Sequence, residues 1–138
     1  MKHLIIIFSL FFTLFYAYSN SLDDKGLICN QSGKPLKSSI IFRFSSGNFV
    51  TGAQFYIIDM NVELIEGGAT LYSADKDFIN IYEFSLNRKT LDLSNIDDGN
   101  IVGQCKVFNN RQEHEMAIKK IIGKIQKDVN KDLKGNKI

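Results

Sequence analysis

The sequence predicts a mainly β protein, an antiparallel meander that forms a small barrel or sandwich, with one amphipathic helix at its C-terminal end. Short apolar runs with period-2 alternation recur between residues 27 and 108. The links between these runs are too short for a crossover helix, so neighbouring strands should pair antiparallel. After residue 110 the apolar residues recur at helical spacing instead.

The first 19 residues have the layout of a secretory signal peptide. A short positive start, Met1-Lys2-His3, precedes an apolar run over residues 4–15, and Ala17 and Ser19 are the small residues before the predicted cleavage site. Cleavage after Ser21 is the alternative. The apolar run is shorter than the ~20 residues of a membrane-spanning helix. We therefore expect an exported single domain over residues 20–138 with no membrane span; an uncleaved anchor is the other reading.

The chain has two cysteines, Cys29 and Cys105. Thiols of exported proteins meet an oxidising compartment, so we predict one intramolecular disulfide between them. An intermolecular bridge, a redox pair and a metal site are the alternatives. The spacing is not the C-x-x-C of redox pairs, and a zinc site would need more ligands than the single histidine of the mature chain supplies.

The predicted strands follow one another at short intervals. The first starts at residues 27–29, and a turn cluster ending at Pro35 follows it. In the second, Ile40, Phe42 and Phe44 share one face. The third contains Gly52, which we interpret as a candidate bulge. The remaining predicted strands cover residues 60–64, 69–72, 78–85, 90–93 and 101–108.

Two of these segments carry strong local signals. The paired glycines Gly67 and Gly68 predict a hairpin turn, because glycine adopts positive φ without a steric penalty. Residues 78–85 are apolar on both faces, which is typical of a central strand. For residues 59–61 we predict either a tight turn or a continuation of the third strand.

The C-terminal segment predicts a helix from about Arg111 to Asp132. Asn110 and Glu113 have the spacing of a capping box. Isoleucines follow at helical intervals with lysines opposite, and we expect this stripe to pack on the sheet or across its mouth. Residues 111–138 hold eight Lys/Arg against four Asp/Glu, whereas residues 20–110 hold eight against eleven. Contact with a partner or an anionic membrane surface is therefore the alternative role of the helix.

Catalytic signatures are missing from the sequence. His114 is the single histidine of the mature chain, and we expect it at the surface between Glu113 and Glu115. No P-loop, dinucleotide or Gly-x-Ser-x-Gly fingerprint is present. We interpret the acidic pair Asp75 and Asp77 as turn residues. The sequence therefore predicts a protein without catalytic residues, metal or cofactor, and the aromatic residues interleave with isoleucines, which argues against nucleic-acid binding.

The segment over residues 82–91, together with Gly103-Gln104-Cys105, resembles small uncharacterised exported bacterial β-sheet proteins that have one early and one late cysteine. A more distant similarity is to the periplasmic C-type lysozyme inhibitors, small antiparallel barrels with a Ser-Ala-Ser-Gly loop that enters the target's active site. Ser73-Ala74-Asp75-Lys76 matches the first two residues of that loop and departs at the next two. The resemblance implies Tyr72, Ser73 and Asp75 as candidate binding residues.

These expectations combine into one functional hypothesis. We expect a periplasmic or secreted, non-enzymatic protein that binds a small or lipid-like ligand, or a protein partner, in the mouth or on the concave face of a cupped sheet. The alternative is a periplasmic inhibitor of a cell-wall hydrolase.

Overall fold

The computed structural model describes residues 22–135, in which nine strands form one antiparallel sheet followed by a single α-helix. The sheet curls into a half-barrel, so the predicted fold class is confirmed. The predicted signal peptide, residues 1–19, lies outside the described residues. The strands are β1 (Gly26–Gln31), β2 (Ile40–Ser45), β3 (Phe49–Ile58), β4 (Asn61–Leu71), β5 (Ser73–Ala74), β6 (Phe78–Ile81), β7 (Phe84–Asn87), β8 (Asp92–Asn95) and β9 (Ile101–Phe108); the helix is α1 (Arg111–Gly135), and a 3-10 turn covers Leu36–Ser38.

The strand order is β4-β3-β2-β1-β9-β8-β7-β6-β5. Every neighbouring pair joins strands that follow each other in the chain, except β1 and β9. That pair connects the half-sheet β1–β4 to the half-sheet β5–β9. Cys29 lies directly opposite Cys105 in this pair and forms a disulfide with it, which confirms the predicted intramolecular bridge.

The sheet buries apolar side chains on both faces. The concave face holds the larger cluster, and the opposite face packs against α1. The alternation predicted for β2 is confirmed, because Ile40, Phe42 and Phe44 lie in the concave cluster and Ile41 lies under the helix. The buried members of the concave cluster are Leu27, Cys29, Ile40, Phe42, Phe44, Val50, Ile79, Ile81, Leu86, Leu93 and Cys105.

The hairpin predicted at Gly67-Gly68 is wrong. Both glycines lie inside the edge strand β4, where the register with β3 shifts between Thr51 and Ala53. The β4 residues paired with these two are Ala69 and Glu66, so the two glycines lie opposite the single residue Gly52, the geometry of a β-bulge. The bulge predicted at Gly52 is thereby confirmed. The tight turn of this hairpin is Asp59-Met60, where both residues have positive φ.

The single central strand predicted over residues 78–85 is also wrong. The segment is a hairpin of β6 and β7, with Ile81 paired to Phe84 and Tyr82-Glu83 as its turn. Tyr82 has a φ of 52°, in the left-handed region that large side chains rarely adopt. The alternation of apolar residues continues through the turn, which is why the sequence reads as one strand.

The helix α1 begins at the predicted residue and extends three residues beyond the predicted end at Asp132. Asn110 caps it, because its Oδ1 accepts the backbone N–H of Glu113 at 2.9 Å. Ile118 and Ile125 are buried against one face of the sheet, so the predicted packing of the isoleucine stripe is confirmed.

The surface position predicted for His114 is wrong. The residue is 2% exposed, and its Nε2 lies 3.2 Å from the backbone oxygen of Leu27. Its ring packs against Phe108 with 5.4 Å between centroids. Gly26 makes room for it, since a Cβ at Gly26 would lie 2.2 Å from Nδ1 of His114. The histidine therefore fixes the first turn of α1 onto β1.

Candidate functional site

The concave face of the half-barrel is filled by its own side chains. Phe42, Leu86 and Leu93 are among the largest fully buried residues, and they occupy the space where a ligand of a hollow barrel would lie. Among the indentations on residues 22–135, two lie beside this core, one near each end of β2. On this face, space for another molecule is therefore at the margins of the half-barrel and not within it.

The larger indentation, which we name the hairpin groove, has a volume of about 350 Å³ and lies between the β3–β4 hairpin and the β6–β7 turn. Residues 52–54 and 56 of β3, residues 65–68 of β4, residues 82–84 of the turn, and Ile40 and Phe42 of β2 line it. Its volume is at the lower end of the ~300–1,000 Å³ typical of ligand sites.

Tyr82 is held in the groove by the bulge. Its hydroxyl donates to the backbone oxygen of Gly68 at 2.9 Å and accepts the N–H of Gly52 at 3.4 Å. The ring lies over Gly52, where a Cβ would come within 3.2 Å of it. The tyrosine thus joins the β6–β7 turn to the β3–β4 hairpin, and the missing side chain at Gly52 provides the space.

Apolar side chains in the groove are open to solvent. Tyr56 is 48% exposed, Tyr82 is 43% exposed and Ile65 is 42% exposed. Gly67 and Gly68 contribute bare backbone beside them. Aromatic residues are enriched at protein interfaces relative to the rest of the protein surface.

The charged residues of the groove are acidic. Glu66 and Glu83 line it, and no lysine or arginine does. Glu63 lies opposite Tyr56 in the β3–β4 ladder and therefore on the same face of the hairpin. Glu66 forms an ion pair with Arg43, which also binds Glu115 at 2.6 Å. Within residues 22–135, Glu63 and Glu83 have no such partner, so the groove presents uncompensated negative charge.

The smaller indentation, about 180 Å³, lies near the opposite end of β2 and contacts Phe44, Lys25 and Arg88. Tyr72, one of the predicted binding residues, packs edge-to-face on Phe44 with 5.0 Å between ring centroids. Burial raises the pKa of Tyr72, Asp23 raises it further, and Arg88 opposes the shift. Tyr72 therefore belongs to the margin of the core.

The other two predicted binding residues are exposed at the surface. Ser73 pairs with Asn80 in the short β5–β6 ladder. The carboxylate of Asp75 accepts the N–H groups of Phe78 at 2.7 Å and Asp77 at 2.8 Å, and these hydrogen bonds lower its pKa. Asp75 thus builds the β5–β6 turn. The structure does not bring these residues into the hairpin groove.

The sequence did not indicate the residues of the hairpin groove. Tyr56, Tyr82 and Glu83 come together only because β4 bulges and the chain turns sharply at Tyr82. The bulge at Gly52 was the one local signal. It gives the position of the irregularity but not the turn that packs against it.

Residues 22–135 hold no group of three or more His, Cys, Asp or Glu side chains placed to bind a metal ion. In the same part of the chain, no helix combines the length and the apolar character needed to cross a membrane. Comparisons with known protein families, with curated proteins and with solved structures find no match for this chain.

Proposed function

We propose that this protein is an exported, non-enzymatic binding protein that holds a cationic segment of a protein partner in the hairpin groove. The observation that carries the proposal is the groove itself, which is open, partly aromatic and acidic, and in which Tyr82 is hydrogen-bonded in place. The Cys29–Cys105 disulfide supports export, because such bridges form and persist in oxidising compartments.

The filled interior favours a protein partner over a lipid-like ligand. An acyl chain needs a long apolar cavity, and the concave face of this sheet is occupied by buried phenylalanine, leucine and isoleucine side chains. The hairpin groove is short and has room for one or two side chains of a larger molecule. A partner would supply further contacts on the rim around it.

The chemistry of the groove selects a cation. The aromatic faces of Tyr56 and Tyr82 attract ammonium or guanidinium groups, a contribution of about 0.5–1 kcal/mol at exposed sites. Exposed carboxylates such as Glu63 and Glu83 add no more than about 1 kcal/mol per ion pair. One cation in the groove therefore gives weak binding, and useful affinity requires several such contacts along the partner.

Titration of the purified protein with the peptide Ac-Lys-Val-Lys-Val-Lys-NH₂ tests the proposal, with ¹⁵N-resolved NMR as the readout. We expect amide shifts at Tyr56, Tyr82 and Glu83 and weaker binding in Glu83→Gln. Asp128→Asn, which removes an exposed carboxylate of α1, is the matched control and should bind as the parent does. Equal binding of the acidic peptide Ac-Glu-Val-Glu-Val-Glu-NH₂, or shifts confined to other surfaces, would refute the proposal.

Inhibition of a cell-wall hydrolase is a second candidate, which the β5–β6 turn favours. The turn is exposed, and hydrogen bonds fix its conformation. The carboxylate of Asp75 accepts two backbone N–H groups, and its backbone oxygen accepts a hydrogen bond from the guanidinium of Arg88 at 2.6 Å. An exposed, pre-organised turn suits insertion into an enzyme cleft. A C-type lysozyme assay tests this candidate, which predicts inhibition that Tyr72→Ala or Asp75→Ala abolishes; full lysozyme activity at excess protein would exclude it.

A further inference from the structure

The edge strand β4 has one side that no strand of residues 22–135 covers, because β3 is its single neighbour in the sheet. We propose that the partner segment binds as an added β-strand along this edge and places its basic side chains in the hairpin groove. This inference rests on the proposed function and specifies the conformation of the bound segment.

The direction of the free backbone groups follows from Gln126 of α1. Its side chain accepts the N–H of Val62 at 2.9 Å and donates to the backbone oxygen of Met60 at 2.9 Å. Val62 therefore directs its N–H away from β3. In an antiparallel ladder this direction alternates, so Leu64 and Glu66 also direct their N–H and C=O groups to the open side. Between Gln126 and the bulge, the edge offers the donors and acceptors for a short added strand.

Natural proteins usually protect such edges with lysine, proline, a bulge or a covering element. β4 contains neither lysine nor proline over its 11 residues. Gln126 covers the start of the strand and the bulge interrupts it at Gly67-Gly68. The stretch from residue 63 to residue 66 lies between these two features and is left open, which is the arrangement expected of a pairing site.

The side chains of β4 define what the added strand should carry. On one face, Glu63 and Ile65 lie beside the groove, opposite Tyr56 and Gln54 of β3. On the other face, Leu64 packs with the cluster under α1. An added strand alternates in the same way, so basic residues would meet Glu63 and Glu83 while apolar residues extend the contact with Leu64.

The same charges argue against a second copy of this chain as the occupant. β4 carries Glu63 and Glu66 and no basic residue. Pairing two such strands would bring four carboxylates into one ladder, and like charges across strands are destabilising. A cationic segment instead complements the edge.

The decisive experiment compares Ac-Lys-Val-Lys-Val-Lys-NH₂ with two backbone-methylated versions of it, one N-methylated at the valines and one at the lysines. Only one set of amides can face β4, so we expect one isomer to bind about tenfold more weakly or worse and the other to bind nearly as well as the parent. The parent peptide should also slow amide hydrogen exchange at Leu64 and Glu66.

The outcomes separate the two proposals. If both methylated peptides bind like the parent and shifts stay confined to Tyr56, Tyr82 and Glu83, strand addition is overturned while the groove function stands. If none of the three peptides binds, the groove function fails and strand addition fails with it. Protection of Leu64 and Glu66 together with a difference between the two isomers supports both.

Discussion

At the scale of single residues, His114 shows how a helix is fixed to a sheet. It lies four residues before Ile118 and eleven before Ile125, so it shares the buried stripe of α1. That spacing could have predicted its burial. The acidic neighbours Glu113 and Glu115 pointed instead to the surface, but adjacent helical residues face different directions. The space at Gly26 was not predictable, because it depends on which strand the helix crosses.

The contact between Gly26 and His114 gives a first prediction. Gly26→Ala should lower the free energy of unfolding by about 1–3 kcal/mol, because the new methyl group overlaps the buried imidazole ring. Urea denaturation measures the change. Gly123→Ala is the matched control, since a Cβ there meets no atom within 4 Å and should stabilise α1 by up to about 1 kcal/mol.

A double variant identifies the clash as the cause. In a His114→Ala background the ring is absent, so adding Gly26→Ala should change stability little. An equally large loss in that background would contradict the interpretation and place the effect of the substitution in β1 itself.

The burial of His114 also predicts how stability depends on pH. Desolvation lowers the pKa of His114 below its ordinary value of 6.5; the hydrogen bond to Leu27 opposes this shift, Arg43 lowers the pKa further and Glu115 raises it. The unfolded chain therefore binds the proton more readily than the folded protein. This contribution to stability is complete above about pH 6.5 and is lost as the pH falls below it, by at most about 1.4 kcal/mol per pH unit.

Urea unfolding at several pH values between about 5 and 8, for the parent and for His114→Gln, measures this contribution. Glutamine keeps an N–H donor for the oxygen of Leu27 but does not titrate in this range. We expect a shallower loss of stability on acidification in the variant. Parallel pH profiles for the two proteins would show that His114 does not titrate differently in the folded and unfolded states.

At the scale of elements, the sequence predicted strands and the helix better than it predicted turns. β9 and the start of α1 were correct because their patterns are continuous and their ends carry clear signals. Gly67-Gly68 was misread because paired glycines fit a hairpin turn and a bulge equally well. The glycines form a bulge and not a turn because Asp59-Met60 already turns the chain, which leaves them inside β4.

The bulge gives the prediction at this scale. Tyr82→Phe removes the hydroxyl that joins Gly52 to Gly68, and we expect a loss of about 1 kcal/mol in the free energy of unfolding. Tyr56→Phe is the control, because its hydroxyl makes a single exposed hydrogen bond of 3.4 Å to Gln54 and should change stability by less than about 0.5 kcal/mol. Equal effects of the two substitutions would show that the bridge across the bulge is energetically unimportant.

At the scale of the whole molecule, the half-barrel consists of two runs of hairpins joined at one long-range pair. Alternation and short links predict hairpins, because a hairpin forms between strands that are neighbours in the sequence. In the sequence, only the two cysteines indicated that β1 pairs with β9. The sequence predicted a curled sheet but not whether it closes, because closure depends on twist and on the bulge at the β3–β4 edge.

The disulfide should therefore contribute to the stability of the whole fold and not only to the local pairing of β1 with β9. It joins residues 76 apart in sequence, across the pair that unites the two half-sheets. The chain-entropy model gives about 4.5 kcal/mol for a loop of this length. We expect the variant with Cys29→Ser and Cys105→Ser to lose several kcal/mol, and its backbone amides in β1 and β9 to lose more protection from hydrogen exchange than those of the β3–β4 hairpin. If exchange rises equally throughout the sheet, the two half-sheets unfold as one cooperative unit, and the β1–β9 pair is not the weakest join in the fold.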